Sequence, residues 1–203
     1  MAKKRSQAKQ SPARTRRKLR SPKQLAALSS PERMRIVDAL AALGPSSARE
    51  LGAQLSRAPQ ALYYHLKALQ AAGLVEKSAS RKTAKQPKGR RGEAVYKLIA
   101  NELEFDAKNA TEEMLQSLAD AASALLRLAD RQTRATLESG TAQLTGQARN
   151  LSVKRLTARL KPAELKQLNK LLDELIEFLA QRQSTDDDAT AVSLTFALHP
   201  FGY

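Results

Sequence analysis

Several residue types are missing or scarce in this chain of 203 residues. Cysteine is absent, which excludes disulfide bonds and thiolate chemistry and is in keeping with a reducing cytoplasm. Tryptophan is absent too, and aromatic residues make up only 4% of the chain. No apolar run approaches the roughly twenty residues that are needed to span a bilayer. The hydrophobic content of 42% is nevertheless enough for a core, and Ala and Leu dominate it, which favours helices.

Acidic residues are scarce in the first half of the chain. Residues 1–100 hold 23 Lys and Arg against 5 Asp and Glu, whereas residues 101–203 hold 12 against 15. The formal net charge of +15 is therefore concentrated in the first half. A basic balance confined to one part of a chain is the expected footprint of a phosphate-binding surface, so double-stranded DNA is the partner that this charge predicts.

One stretch of the basic half has the signals of a complete helix. Pro59 suits a first helical turn, where its missing N–H costs nothing, and Gly73 suits the left-handed residue just past a helix end. Between them Leu62, Leu66 and Leu69 recur at spacings of four and three, which places them on one face. The sequence therefore predicts a helix with a buried leucine face over residues 59–72.

The opposite face of this helix is polar, aromatic and cationic, and it contains no carboxylate. Its residues are Gln60, Ala61, Tyr63, Tyr64 and Lys67. Hydrogen-bonding, stacking and cationic groups on one side of a helix suit the base edges and phosphates of the DNA major groove. We expect one of the two tyrosines to reach DNA and the other to pack on the domain.

A second predicted helix lies just before the first. Ser47 and Glu50 have the spacing of a capping box, and Leu51 and Leu55 follow on one face. A short turn then leads to Pro59. Helix, tight turn and second helix form the helix-turn-helix arrangement, although an ordinary pair of packed helices has the same local pattern. Ser46 and Ser47 are expected to contact phosphates.

Two strand candidates follow, at residues 74–77 and 94–99, and they flank a basic loop over residues 80–92. Two strands joined in this way form a hairpin, or wing. Lys88, Arg90 and Arg91 lie around the two glycines of the loop. Guanidinium groups are attracted to the negative potential of a minor groove, so these residues are expected to contact the groove or the phosphates. The alternative is a solvated run of charge.

Residues 31–99 taken together resemble the winged helix-turn-helix domain of the ArsR-like bacterial transcription regulators. The resemblance is carried by PERMRIVDAL at 31–40, ELG at 50–52, LYYHLKAL at 62–69 and AGLV at 72–75. It implies a transcription regulator that binds DNA. Many ArsR-like proteins sense metals through thiolates, which this chain cannot do because it has no cysteine.

The segments before the helix-turn-helix motif are assigned as an arm and two helices. Residues 1–20 contain nine Lys and Arg and no acid, which predicts a disordered basic arm that either adds DNA affinity or only solubilises the chain. Residues 22–29 suit a short helix with Leu25 and Leu28 inward. A stronger helix begins at Ser30-Pro31 and ends at Gly44-Pro45.

The second half begins with a long amphipathic pattern. The stripe consists of Leu103, Ala107, Ala110, Met114, Leu118, Ala121, Leu125 and Leu128. It predicts a helix over residues 103–128 that pairs with its twin in a homodimer, because helix-turn-helix proteins usually bind two half-sites related by symmetry. The alternative is packing within the same chain.

The last part of the chain is predicted to form a small α/β unit. Residues 151–160 and 191–198 alternate like strands, and a helix with a leucine face begins at Lys161-Pro162. Such a unit would brace a dimer or enclose a small-molecule effector, which the sequence does not identify. Residues 133–150 stay unassigned beyond a loop or weak helix.

The sequence thus predicts a mainly α fold with a small β wing, divided into a basic arm (1–20), a winged helix-turn-helix domain (21–100) and a helical dimerisation or effector domain (101–203). The predicted function is that of a cytoplasmic, dimeric, sequence-specific DNA-binding transcription regulator. An architectural protein that coats DNA with little sequence preference is the main alternative, and a protein-interaction module is the third. No motif of an enzyme, cofactor site or metal site is found, and His65 is expected to be structural.

Overall fold

The computed structural model describes residues 16–81, 93–100, 102–181 and 190–201. The described helices are α1 (Pro22–Leu28), α2 (Pro31–Leu43), α3 (Ala48–Leu55), α4 (Pro59–Ala71), α5 (Glu112–Glu138) and α6 (Pro162–Ala180). The described strands are β1 (Arg16–Leu19), β2 (Ser46–Ser47), β3 (Val75–Arg81), β4 (Glu93–Leu98) and β5 (Glu102–Phe105). Within these residues, no helix combines the length and apolar character that crossing a bilayer requires.

The winged helix-turn-helix fold is confirmed. Helix α2 packs against α3, α4 and β4, and a three-stranded antiparallel sheet in the order β2-β4-β3 closes the domain. In that sheet Lys77 pairs with Tyr96, which also pairs with Ser46 on the other edge of β4. Strands β3 and β4 are the arms of the predicted wing. The loop between them, with Lys88, Arg90 and Arg91, lies outside the described residues.

Local sequence signals explain where the helices of this domain begin and end. The Ser47 hydroxyl accepts a hydrogen bond from the Glu50 amide at 3.2 Å, and the Glu50 carboxylate accepts one from the Ser47 amide at 2.7 Å, which is the predicted capping box. Pro59 opens α4. Gly73 follows α4 with φ +66°, a left-handed conformation that favours glycine. The Leu74 amide then bonds the Leu69 carbonyl at 3.0 Å, which closes the helix end.

The amino-terminal boundary differs from the prediction. Residues 16–19 form strand β1, which pairs in parallel with β5, so the predicted arm over residues 1–20 does not include them. The reason is that Leu19 is 4% exposed and belongs to the core, and Arg20 pairs at 3.2 Å with the buried Asp106 carboxylate. Basic composition alone does not reveal a partner strand 86 residues away.

Helix α5 confirms a long helix after the domain, but its bounds are shifted. Leu103 lies in β5, and the helix begins only after Thr111, whose hydroxyl accepts a hydrogen bond from the Met114 amide at 3.3 Å. It then continues to Glu138, into residues that stay unassigned in the sequence. Leu103 in β5 also packs against the core, so the apolar spacing continues across the start of α5. Spacing alone therefore places the start of the helix too early in the chain.

The carboxy-terminal unit contains the predicted helix, α6, but not the predicted strands. Neither residues 151–160 nor residues 191–198 form a ladder in the described structure. Both segments nevertheless lie beside α6: residues 149–152 and 192–194 line a shallow hollow with Leu175, Phe178 and Leu179. Alternation shows which residues share a side of an extended segment, but a strand also needs a partner in register, which the alternation cannot supply.

Gly52 determines how closely the two helices of the motif approach. A Cβ at this position would lie 2.6 Å from the Arg57 carbonyl oxygen, a backbone atom that cannot move without opening the turn. We expect Gly52→Ala to lower the free energy of unfolding by about 1–3 kcal/mol, the usual cost of overpacking, as measured by urea denaturation.

The matched control for Gly52→Ala is Ser56→Gly. Ser56 ends α3 with φ +53°, a conformation that is costly for a residue with a Cβ. We therefore expect Ser56→Gly to leave the unfolding midpoint unchanged or to raise it. A wild-type midpoint for Gly52→Ala would show that the turn relaxes freely.

Candidate nucleic-acid interface

Helix α4 presents one face to solvent and buries the other. Leu62, Leu66 and Leu69 are at most 1% exposed and pack in the core beneath the helix. On the opposite side Tyr63 is 49% exposed and Tyr64 is 73% exposed. The predicted contact residues of this helix are all exposed: Gln60, Ala61, Tyr63, Tyr64 and Lys67. The structure therefore brings these five residues together on one accessible surface, which we call the α4 face.

The α4 face has a composition suited to DNA. No Asp or Glu lies in Pro59–Ala71, so no carboxylate on the helix repels a phosphate. The face offers an amide at Gln60, a phenol at Tyr64 and an ammonium group at Lys67. A helix of this length fits the major groove, where such groups meet base edges and the sugar-phosphate backbone.

The two tyrosines of this face have different environments. Tyr96 of β4 is 6% exposed; burial raises the pKa of its phenol, and the neighbouring Tyr63 phenol raises it further. Tyr63 is the less exposed of the two, at 49% against 73% for Tyr64. The ring of Tyr64 makes an edge contact with His65, with the ring centroids 5.4 Å apart. Both tyrosines are exposed, and the expectation that one packs on the domain while the other reaches DNA stays a prediction.

Two arginines hold the turn before α4 against α2. Arg35 of α2 donates to the Leu55 carbonyl at 3.1 Å, where α3 ends. Arg57, in the turn itself, pairs with Glu32 of α2 at 3.2 Å, and Arg35 pairs with the same carboxylate at 3.3 Å. Partial burial acts to raise the pKa of Glu32, but the hydrogen bond from Arg57 and the charges of both arginines outweigh it and lower the pKa.

Arg49 is an exposed cation of α3 that is absent from the predicted contact residues. It lies in the first turn of α3 and pairs with Glu93, the first residue of β4, at 3.5 Å while its side chain stays 68% exposed. A cation is unfavourable near the positive end of a helix dipole, so its position there needs another reason. That mismatch is the signal that the sequence offers. The contact joins α3 to the base of the wing.

The predicted phosphate contacts of Ser46 and Ser47 are corrected by their burial. The two residues are 4% and 3% exposed. The Ser46 hydroxyl donates to the Gly44 carbonyl at 3.0 Å, and the Ser47 hydroxyl caps α3. The Ser46 hydroxyl thus satisfies a carbonyl at the end of α2, and the Ser47 hydroxyl stabilises the start of α3. A Ser before a helix has the same sequence signature whether its hydroxyl serves the cap or a ligand.

His65 lies beside the apolar side of α4 and is partly exposed. Its Nδ1 atom is buried and has no hydrogen-bond partner within the described part of the chain. Residues 16–81, 93–100, 102–181 and 190–201 contain no group of three or more His, Asp and Glu side chains that could hold a metal ion. The structure thus gives His65 a position between the core and the α4 face.

The predicted dimer stripe is partly used inside the chain. Met114 belongs to the core of the winged domain and Leu118 packs against it, while Ala121 and Leu128 are 7% and 3% exposed. Helix α5 lies against α1 and α2 through this side. Much of the predicted stripe over residues 103–128 therefore packs within the same chain, which is the alternative that the sequence leaves open.

Comparison with known proteins supports the motif. Residues 28–78 match a family model described as a helix-turn-helix domain, which covers α2, α3, α4 and the start of β3. The chain therefore contains a helix-turn-helix domain with a wing, a class of domain found in DNA-binding transcription regulators. The match does not single out the ArsR-like group. No curated protein matches the chain.

Two solved structures show a weak likeness to this chain. One is a MarR family transcription regulator, with 18% identity, a TM-score of 0.27 and 78% of each chain covered. The other is a mutant of ZitR from Lactococcus lactis in its apo form, with 16% identity, a TM-score of 0.23, and 78% of this chain and 83% of that chain covered. Scores this low carry no argument, so the assignment rests on the family model and the geometry.

The Glu32 network makes a prediction about pH. Because the folded-state pKa of Glu32 lies below its ordinary value of 4.5, its contribution to stability is fully present above that value and is lost as the pH falls through the folded-state pKa. We expect Glu32→Gln to destabilise the protein at pH 7, by less than about 1 kcal/mol since the pair is partly exposed, and the difference from wild type to become smaller when the pH is lowered to 3.

Urea denaturation at the two pH values measures this difference. Glu138→Gln, at the exposed end of α5, is the matched control and should not destabilise the protein at pH 7. An equal cost of Glu32→Gln at both pH values would mean that the carboxylate acts through shape and not through charge.

Proposed function

We propose that this protein is a sequence-specific, DNA-binding transcription regulator that acts as a homodimer in the cytoplasm. The observation that carries the proposal is the α4 face: a helix anchored by three buried leucines, preceded by a braced turn, presents amide, phenol and ammonium groups without any carboxylate. The concentration of positive charge in residues 1–100 supports it, since phosphates are the natural partner of that half.

Each residue of the α4 face has a proposed role in the complex. Gln60 and Tyr64 read base edges in the major groove, and Ala61 contacts a thymine methyl group. Lys67 binds a phosphate and fixes the position of the helix without reading sequence. Arg49 exchanges Glu93 for a phosphate beside the wing. Lys88, Arg90 and Arg91 of the wing contact phosphates or the adjacent minor groove.

The homodimer is proposed from a second apolar stripe on α5. Leu115, Leu126 and Leu137 are 52%, 51% and 51% exposed, and they recur every eleven residues on one side. Smaller residues lie between them, at Ala119, Ala122, Ala129 and Thr133. Spacings of three and four along this side are typical of a helix–helix seam. A second copy of the chain that covers this side would bring two α4 faces to the two halves of a symmetric site.

The finer placement among the ArsR-like regulators is proposed from the sequence motifs of residues 31–75. An architectural DNA-coating protein is the alternative, which the basic arm and the wing loop favour through their charge. Genome-wide occupancy separates the two functions. A regulator gives a few sharp sites, whereas a coating protein gives broad coverage.

Replacing Tyr64 tests base reading. We expect Tyr64→Ala to weaken binding to the preferred sequence, obtained by selection from random DNA, by about 1–3 kcal/mol and to leave binding to unrelated DNA nearly unchanged. Tyr64→Phe keeps the ring and separates stacking from hydrogen bonding. Leu43→Ala, at a half-exposed position outside the α4 face, is the control. Wild-type discrimination by Tyr64→Ala in a gel-shift assay would remove Tyr64 from the contact set.

Replacing Lys67 tests phosphate binding. We expect Lys67→Ala to weaken binding to all sequences alike and to reduce the slope of log K against log salt concentration by about 1. The control is Lys154→Ala, which removes an exposed charge from the second half of the chain. If Lys67→Ala changes the preferred sequence while the salt slope stays the same, Lys67 reads a base and not the backbone.

A further inference from the structure

Helix α6 has an apolar side that no other described helix or strand covers, although residues 149–152 and 192–194 lie beside its carboxy-terminal half. Its leucine stripe, which comprises Leu165, Leu168, Leu172, Leu175 and Leu179, repeats at spacings of three and four. None of its residues is buried, and α6 packs extensively against no other described element. An amphipathic helix obtains most of its stability from the packing of its apolar face, so this stripe needs a partner.

The exposed stripe of α5, which runs from Leu115 to Leu137, is a surface of matching kind. It lies beside the buried stripe on the same helix, about 100° around the axis, so α5 offers one side to its own domain and a second to another element. The stripe is about 33 Å long, which exceeds the roughly 21 Å of the leucine stripe of α6. One α6 helix therefore fits along it with room to spare.

The charges that flank the two stripes fix their relative direction. In α5 the first half contains Glu112, Glu113 and Asp120 without any Lys or Arg, and the second half contains Arg127, Arg131 and Arg134 against Asp130 and Glu138. In α6 the order is reversed. Lys161, Lys166 and Lys170 come first, against Glu164, and Asp173, Glu174 and Glu177 follow without any cation. A parallel arrangement places opposite charges together, whereas an antiparallel one places like charges together.

The connection between the helices indicates a second copy of the chain as the partner. Residues 141–150 close on themselves, because the Asn150 side chain accepts from the Gln143 amide at 2.8 Å and donates to the Thr141 carbonyl at 3.1 Å. Residues 151–160 then run on without helix or strand, and Val153 and Leu156 are 76% and 90% exposed. An arm with exposed apolar side chains, followed by a helix that packs extensively on no other described helix or strand, is suited to exchange between protomers.

We propose that α6 of one protomer packs in parallel on the exposed stripe of α5 of a second protomer, and that the exchange is reciprocal. The inference rests on the homodimer of the proposed function and names the two surfaces that form it. By two-fold symmetry the dimer contains two identical contacts of α5 with the exchanged α6. Each protomer is thereby joined to its partner by a helix that reaches across.

Two single variants of the full chain test each surface. Leu126→Glu places a carboxylate in the α5 stripe, and Leu172→Glu places one in the α6 stripe. Both changes affect both symmetric contacts, so we expect each to raise the dimer dissociation constant at least about 100-fold in sedimentation velocity. Ala135→Glu and Ala163→Glu, each half a turn away from the corresponding leucine, are the matched controls and should dimerise like wild type.

Mixing the two variants separates exchange from every other arrangement. In a heterodimer of Leu126→Glu with Leu172→Glu, one contact is intact, because the unaltered α6 of the first chain meets the unaltered α5 of the second. We expect the equimolar mixture to form dimers at a concentration where neither variant does. Failure of the mixture to dimerise would overturn the proposal, as would a dimer of Leu172→Glu as tight as wild type, which indicates direct pairing of two α5 helices.

The sedimentation result is independent of DNA. If the protein prefers no DNA sequence, the proposed function as a sequence-specific regulator is wrong, but the sedimentation test of the dimer still applies. Conversely, a protein that binds its preferred sequence but shows no rescue in the mixture would retain the proposed function and lose the exchange of α6. A wild-type monomer at all concentrations would overturn the exchange directly.

Discussion

The burial of one leucine face beneath α4 is the constraint on which the rest of the structure depends. Leu62, Leu66 and Leu69 are fixed in the core, and each contributes about 1.5–3 kcal/mol by leaving water. Because side chains on a helix keep fixed angular positions, burying these three leaves Gln60, Tyr64 and Lys67 no direction but outward. Packing on one side of the helix thus determines which residues form the α4 face on the other side.

The turn before α4 fixes the orientation of this helix relative to the rest of the domain. Gly52 allows α3 to approach the Arg57 backbone, Ser56 reverses the chain at positive φ, and Arg57 is tied back to Glu32 on α2. These contacts fix the orientation of α4 relative to α2. The ion pair of Arg57 therefore stabilises the turn within the protein itself, independently of any nucleic acid.

Short-range signals predict most of the domain, and long-range pairing explains what they miss. The capping box at Ser47 and the stop at Gly73 are local patterns, and the structure has them where the sequence places them. The two strands of the wing are also present, but the first continues to Arg81, into the residues predicted as loop. The parallel pairing of β1 with β5 is invisible to such patterns because its halves are far apart in the chain. The alternating segments at 151–160 and 191–198 show the opposite case, in which a local pattern has no ladder to join.

The candidate site divides in the same way. The outward set on α4 follows from helical periodicity alone, so the sequence predicts it well. Whether a hydroxyl at Ser46 or Ser47 faces a ligand or a carbonyl depends on how the neighbouring elements cover it, which periodicity does not contain. Arg49 is marked in the sequence only by its unfavourable position at a helix start, and its pairing with Glu93 supplies the reason for that position.

The pairing of β1 with β5 also determines where the basic amino terminus is tethered. Arg16 pairs with Glu102 at one end of this ladder, and Leu19 at the other end is buried in the core. The chain before Arg16 is therefore joined to the domain beside β5, at a point that is fixed by contacts from a distant part of the sequence.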